Sequence, residues 1–228
     1  MAEKIGGANM IRKILCTLFY LNVFSLIAQV EAPYQKVEHD KIVISINQDS
    51  WQSVPTGIEL RPISIGVDFA NFYDIPFWKS NFSLGLGWGI SSHNVHHNGV
   101  FVDSSLNENR HTYLLPKKIS YEKNKHVANY LDFPIELRFK TKTTRTFRLM
   151  IGGKVGWLLG DYSKIIDDQG KRKYYGIKNI RRYHYGITGR IGWGDINFTM
   201  FYGLSSLFED NSGPDLRQLS IGFSIIPF

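Results

Sequence analysis

Across residues 127–159 bulky apolar side chains recur at every second position. On the way up they are Val127, Leu131, Phe133, Ile135, Leu137 and Phe139, with Asn129 in the same row. Between them stand Ala128, Tyr130, Asp132, Pro134, Glu136, Arg138 and Lys140. After residues 141–145 the row resumes with Phe147, Leu149, Ile151, Val155, Trp157 and Leu159, and Gly153 is its one gap. Successive strand side chains point to opposite faces, so a period of two predicts two strands folded on a turn at 141–145. Each run is longer than an ordinary globular strand and matches the ~9–11 residues of a strand that crosses a bilayer at a tilt.

The same alternation recurs along the chain. Residues 41–49 set Ile42, Ile44 and Ile46 against Val43, Ser45 and Asn47, and 57–71 set Ile63, Ile65, Val67 and Phe69 against Ser64, Gly66, Asp68 and Ala70. Ile58 and Leu60 fall on the opposite parity to Ile63, which predicts a bulge at Pro62. Residues 72–79 read as a turn. Residues 82–91 alternate Phe82, Leu84, Leu86, Trp88 and Ile90 with Ser83, Gly85, Gly87, Gly89 and Ser91. Three more strands follow at 183–191, 196–204 and 219–225, the first two joined by Gly194-Asp195, a two-residue hairpin signal, and the last two by a loop at 208–216. Residues 92–125 and 163–178 are polar and read as long loops. The count is eight strands. The three short turns then share one side with both chain ends, and the two long loops lie on the other.

Which face points inward decides the class. An eight-stranded barrel has an interior only just wide enough for ordinary side chains. Rows of Phe, Leu, Ile and Trp do not fit there, whereas the Gly, Ser and Ala face with its scattered charges does. The bulky rows therefore face outward, and such an apolar belt is tolerable only in lipid. The expected fold is all-β: an eight-stranded antiparallel transmembrane β-barrel over 41–228, in the cell outer membrane. Arg12 and Lys13, the apolar run 14–27 and then Ala28 form the pattern of a secretory signal, so 1–28 is read as a helical signal peptide and 29–40 as a periplasmic lead. The only cysteine of the 228 residues, Cys16, lies in that signal, which leaves the remainder without thiol or disulfide chemistry. A net charge of +7 without a basic block argues against nucleic-acid binding.

Chemistry enters through the inward charges Asp68, Asp132, Glu136, Arg138, Arg148, Lys154, Arg182, His184 and Arg190. They allow an ion path, or a polar plug in which enclosed charges pair to offset their desolvation, and the plug suits so narrow a barrel better. If Phe139 and Phe147 pair across the turn, the register continues 137 with 149, 135 with 151 and 133 with 153. Asp132 then lies opposite Lys154, and Glu136 bridges Arg138 or Arg148. His93, His96 and His97 have a spacing that suits a metal, but loop histidines are ordinarily solvated, and no metal or cofactor is expected. Gly85, Gly87 and Gly89 read as inward positions without room for bulk, not as a phosphate loop. Neither GxSxG nor HExxH occurs, so no enzyme is expected. The basic residues Lys117, Lys118, Lys123, Lys125, Lys164, Lys171, Arg172, Lys173 and Lys178 stand near the outer rim, either as solvated faces, the simpler reading, or as contacts for lipopolysaccharide phosphates.

Four stretches carry a resemblance: Asp40-Lys41-Ile42-Val43-Ile44, Lys79-Ser80-Asn81-Phe82-Ser83, Tyr130-Leu131-Asp132-Phe133-Pro134-Ile135-Glu136-Leu137-Arg138, and Ser220-Ile221-Gly222-Phe223 up to Pro227-Phe228. Their order and spacing resemble the small outer-membrane β-barrel (porin-like, PorT-type) family of Bacteroidota. The resemblance implies an outer-membrane barrel; most members have no assigned activity, and one branch serves protein secretion. The terminal Phe228 resembles the end that barrel-assembly machinery recognises, although it is out of phase with 219–225. The expected role is a structural or surface-interaction barrel, with secretion as an associated process and outer-membrane lipid as its surroundings; a narrow channel for small solutes is the alternative. The sequence names no protein partner.

Overall fold

The computed structural model describes residues 41–78, 80–104, 111–117, 120–142 and 146–227. The signal, the lead, Lys118 and Phe228 lie outside the described residues. Eleven strands form: β1 (Ile42–Gln52), β2 (Ile65–Pro76), β3 (Phe82–His96), β4 (Gly99–Ser104), β5 (His111–Pro116), β6 (Lys123–Lys140), β7 (Phe147–Asp167), β8 (Gly170–Tyr175), β9 (Tyr183–Trp193), β10 (Ile196–Ser206) and β11 (Arg217–Ile225). Eight of them, β1, β2, β3, β6, β7, β9, β10 and β11, pair antiparallel in that order, and β11 returns to pair with β1. The ring is closed, so its strands leave no edge unpaired.

The bulky rows face out. Ile135 and Ile151 are 56% and 59% exposed, and Trp88, Phe133, Trp157, Ile187 and Phe223 share the same belt. At the end of the barrel that carries the start of β1 and the end of β11, an aromatic row crosses four neighbouring strands. Phe82, Phe139, Phe147 and Trp193 have ring centroids 5.1, 6.4 and 5.1 Å apart in sequence around the wall. Gly194, with φ +59°, makes the two-residue turn between Trp193 and Ile196 that the Gly-Asp pair predicts.

The departures from the expected elements have physical causes. Residues 92–125 and 163–178 are not loops throughout. β3 continues to His96 and β6 begins at Lys123, and between them β4 and β5 form a hairpin. β7 runs to Asp167 and turns into β8. These extensions stand beyond the apolar belt, where the outward face is polar and the alternation in hydrophobicity disappears. In β7 an extra residue at Leu159 also reverses the phase: Asn129 pairs with Gly160 while Tyr130 pairs with Leu158. Beyond it Asp161, Ser163 and Ile165 turn inward. Around Pro62 there is no bulged strand; β2 starts at Ile65, and the preceding segment meets the end of β3 through an isolated bridge from Leu60 to His97 and hydrogen bonds from Arg61 N–H to the His96 carbonyl and from His96 N–H to Ser64 Oγ. β2 in turn runs through the expected 72–79 turn as far as Pro76.

The β6–β7 register is two residues away from the expected one. Phe139 pairs with Leu149, not Phe147, Leu137 pairs with Ile151, and Asp132 stands opposite Gly156. Thr141 sets this offset: its N–H donates to the Phe147 carbonyl at 3.0 Å, and its Oγ1 accepts from Phe147 N–H at 2.8 Å. Because the side-chain period is two, a slip of two leaves every residue on its own face.

Candidate functional site

Three groups of side chains occupy the interior in succession. At the aromatic-row end, Val43, Phe72, Met150 and Ile226 pack together, all nearly inaccessible. The Arg138 guanidinium lies 3.9 Å over the Phe72 ring and opens the charged middle. Arg138 donates to Asp74 at 2.6 Å and to Glu136 at 3.0 Å; Lys140 donates to Asp74 at 2.7 Å, and Arg190 to Glu136 at 2.6 Å. Arg148 donates to the Gly194 carbonyl.

Further along, Asp132 takes Lys154 Nζ at 2.7 Å on one oxygen and His184 Nε2 at 2.9 Å on the other. His184 stacks on Tyr130 with ring centroids 3.8 Å apart, and Lys154 stands 4.4 Å over Phe201. Asp49 accepts from Ser220 Oγ at 2.7 Å and Asn94 N–H at 2.8 Å, with His93 Nδ1 at 3.3 Å; Asn47 donates to Asp68 at 2.7 Å. Glycines make the space. A Cβ on Gly66 would meet Asp49 at 2.1 Å, one on Gly85 would meet Arg138 at 2.5 Å, and one on Gly156 would meet Asp132 at 2.1 Å and His184 at 2.3 Å.

The third group lies at the far end. Trp51, Ile58, Val95, Leu114, Ile180, Phe208 and Leu216 form an apolar cluster, with Phe101 packed against it. Leu114 and Phe101 belong to the β4–β5 hairpin, so that hairpin lies across the mouth rather than projecting from it. Its outer strand reaches the loops beyond: Thr112 N–H donates to the Ser212 carbonyl at 2.8 Å and Thr112 Oγ1 to the Lys178 carbonyl at 3.1 Å. His97 sits under the hairpin, 5.1 Å from the Trp51 ring, and its Nδ1 accepts from Gly99 N–H at 3.1 Å. Burial, with His126 and His96 nearby, lowers its pKa to about 3.

Residues 39–209 match the family model described as outer membrane protein beta-barrel domain. The chain belongs to that family. No curated protein matches it. In this outer-membrane barrel the apolar belt is the lipid-facing surface, and the aromatic row lies where such a girdle stands at a membrane interface.

Of the inward charges expected from the sequence of the outer-membrane barrel, Asp68, Asp132, Glu136, Arg138, Arg148, Lys154, His184 and Arg190 do line the interior. Arg182 does not: it precedes β9 and is exposed. Lys154 reaches Asp132 diagonally, since the residue opposite Lys154 is Pro134. Asp49, Asp74, His93 and Lys140 also make interior polar contacts and were not among the inward charges expected from the sequence. Asp49 stood at the last position of an expected strand, and Asp74 lay in an expected turn; carrying the inward parity two to four residues further finds both. His93 and His97 turn inward and His96 outward, so the three do not converge, and among the described residues no group of three or more potential metal ligands forms.

Proposed function

We propose that this outer-membrane barrel resides in the cell outer membrane as a closed structural or surface-interaction protein, without catalysis, and does not conduct solutes. The observation that carries the reading is the succession inside it: an apolar cluster at each end and ion-paired charges between them. A solute would have to separate Arg138 from both carboxylates and lift Phe101 from Phe208, and breaking a buried pair costs about 3–5 kcal/mol. A cavity of about 20 Å3 beside Tyr130, His184 and Gly203 has room for about one water. Placement in the porin-like, PorT-type branch, with its link to secretion, is part of the same proposal and rests on the order of the four motifs. The covered mouth leaves the outer rim and the exposed face of the hairpin as the surfaces for partners.

The alternative of a narrow channel draws on one observation. Asn47 Oδ1, Asp68 Oδ1, His93 Nε2, Thr188 Oγ1 and Asn197 Oδ1 are buried without a protein partner, as groups that face enclosed water are. Conductance of the purified full chain in a planar bilayer separates the two. The closed reading expects no steps above the lipid background; sustained unitary steps at moderate voltage would overturn it.

A further inference from the structure

The basic residues of the outer rim do not scatter as solvated side chains would. Beyond the belt, β6, β7 and β8 continue as one sheet, and directly paired residues on adjoining strands share a face. His96 pairs with Lys125, Lys125 with Lys164, and Lys164 with Lys173, which makes a row across four strands. One step further out, Lys123 pairs with Ile166 and Ile166 with Lys171 on the same face; one step inward, Val127, Tyr162 and Tyr175 are aligned. Five lysines thus stand on one face, those of β7 and β8 above Tyr162 and Tyr175 and those of β6 above Val127. Among the described residues none of the five forms an ion pair. Asp167, close by, is held by Lys117 at 2.7 Å and by Arg172. Exposed Glu122 attracts Lys164 less than Lys171, Lys123 and Lys173 repel it.

Like charges directly opposite across strands are destabilising. Partial desolvation and then the neighbouring Lys123, Lys164 and Lys173 lower the pKa of Lys125. Lysines on an edge strand ordinarily serve to discourage edge pairing. That accounts for Lys171 and Lys173 on β8, whose second edge is open. It does not account for Lys125 and Lys164, which lie within the sheet.

Height along the wall points to the counter-ion. From Phe139, in the aromatic row at the opposite interface, Lys125 is fourteen residues further out, ~35 Å at ~3.3 Å per residue and a tilt of ~40°, which is ~10 Å past an apolar band ~25 Å tall. That is the level of headgroups, not of acyl chains. We propose that the β6–β7–β8 face is a cradle for the phosphorylated saccharide headgroup of an outer-leaflet glycolipid, with Lys125, Lys164 and Lys173 on its phosphates and Tyr162 and Tyr175 at the boundary with its acyl chains. The cradle rests on the outer-membrane placement but not on closure of the interior; conductance reads the latter and lipid retention the former.

The test uses the full chain in phosphatidylcholine nanodiscs with bisphosphorylated lipid A, its dephosphorylated form, or neither. Native mass spectrometry should show lipid A retained at least tenfold more by the wild type than by K125Q/K164Q/K173Q. K178Q/R181Q/R217Q, an equal loss of formal charge at cations already paired with Asp103, Asp210 and Asp215, should retain it like the wild type. Equal retention by the first triple variant, equal retention of the dephosphorylated lipid, or full displacement by the acyl-free diphosphorylated disaccharide at equal concentration would each overturn the proposal. K164Q alone gives a sign that a merely structural lysine cannot. Without lipid A it should raise the thermal midpoint, by relieving repulsion, and with lipid A lower it; a change of the same sign in both would overturn the cradle.

Discussion

Asp132 shows what one position in this wall must satisfy. Its two oxygens face Lys154 and His184, and the Cβ that Gly156 lacks would collide with both Asp132 and His184. The side chain, its partners and the empty position opposite it are one unit. Removing Lys154 alone leaves a buried carboxylate short of a cation, so Lys154→Ala should cost about 3 kcal/mol or more. Asp132→Leu with Lys154→Met should cost much less than the two single changes together. Urea unfolding from lipid vesicles measures the cycle, and additive single effects would show that the pair is not coupled. The two residues were legible in the sequence as inward charges because parity is read directly from alternation. Their register was not: a slip of two residues moves Asp132 from Lys154 to Gly156 without changing any face, and the bonds between Thr141 and Phe147 at the turn hold the observed offset.

Among the elements, the β4–β5 hairpin is the one the chain conceals best. Its surroundings are polar, and the strands that support it lose their hydrophobic alternation where they leave the lipid. The bulge at Leu159 then reverses the parity of β7. A reader of the sequence sees a loop at 92–125 because the apolar residues of the cap, Val95, Phe101 and Leu114, are far apart along it. The hairpin rests on His97, which burial holds neutral, with a pKa of about 3. An unfolded histidine titrates near 6.5. Between about 6.5 and about 3 the folded cap therefore binds fewer protons than the opened one, and its stability falls as the pH falls through that window. Amide-exchange protection of Gly99–Ser104 and His111–Pro116 should drop between pH 7.5 and pH 5. His97→Phe should keep that protection; an undiminished wild-type hairpin at pH 5 would refute the assignment.

Taken whole, the barrel is a wall with inverted polarity, its apolar side out. At Ile135, well inside the belt, Ile135→Arg should cost roughly 2–4 kcal/mol in folding from urea into vesicles, while Ile135→Leu should be close to neutral. Equal behaviour of the two would remove that row from the lipid. Class, the number of strands in the ring and the direction of each face were legible because they depend only on local alternation; β4, β5 and β8 were not, and the closure of β11 on β1 was expected because an apolar outer face with a narrow polar interior needs a closed ring. That closure has a consequence for biosynthesis. β1 finds its second neighbour only in β11, with Ile44 opposite Ile225 and Gln52 opposite Arg217. Until the last strand has left the ribosome and crossed to its destination, the first has a full row of amide and carbonyl groups with nothing to bond. In lipid that row has no water to fall back on. Unaided, a partial chain therefore has no stable halfway state in the bilayer: the β1 edge must stay out of lipid, or be paired by another protein, until β11 arrives.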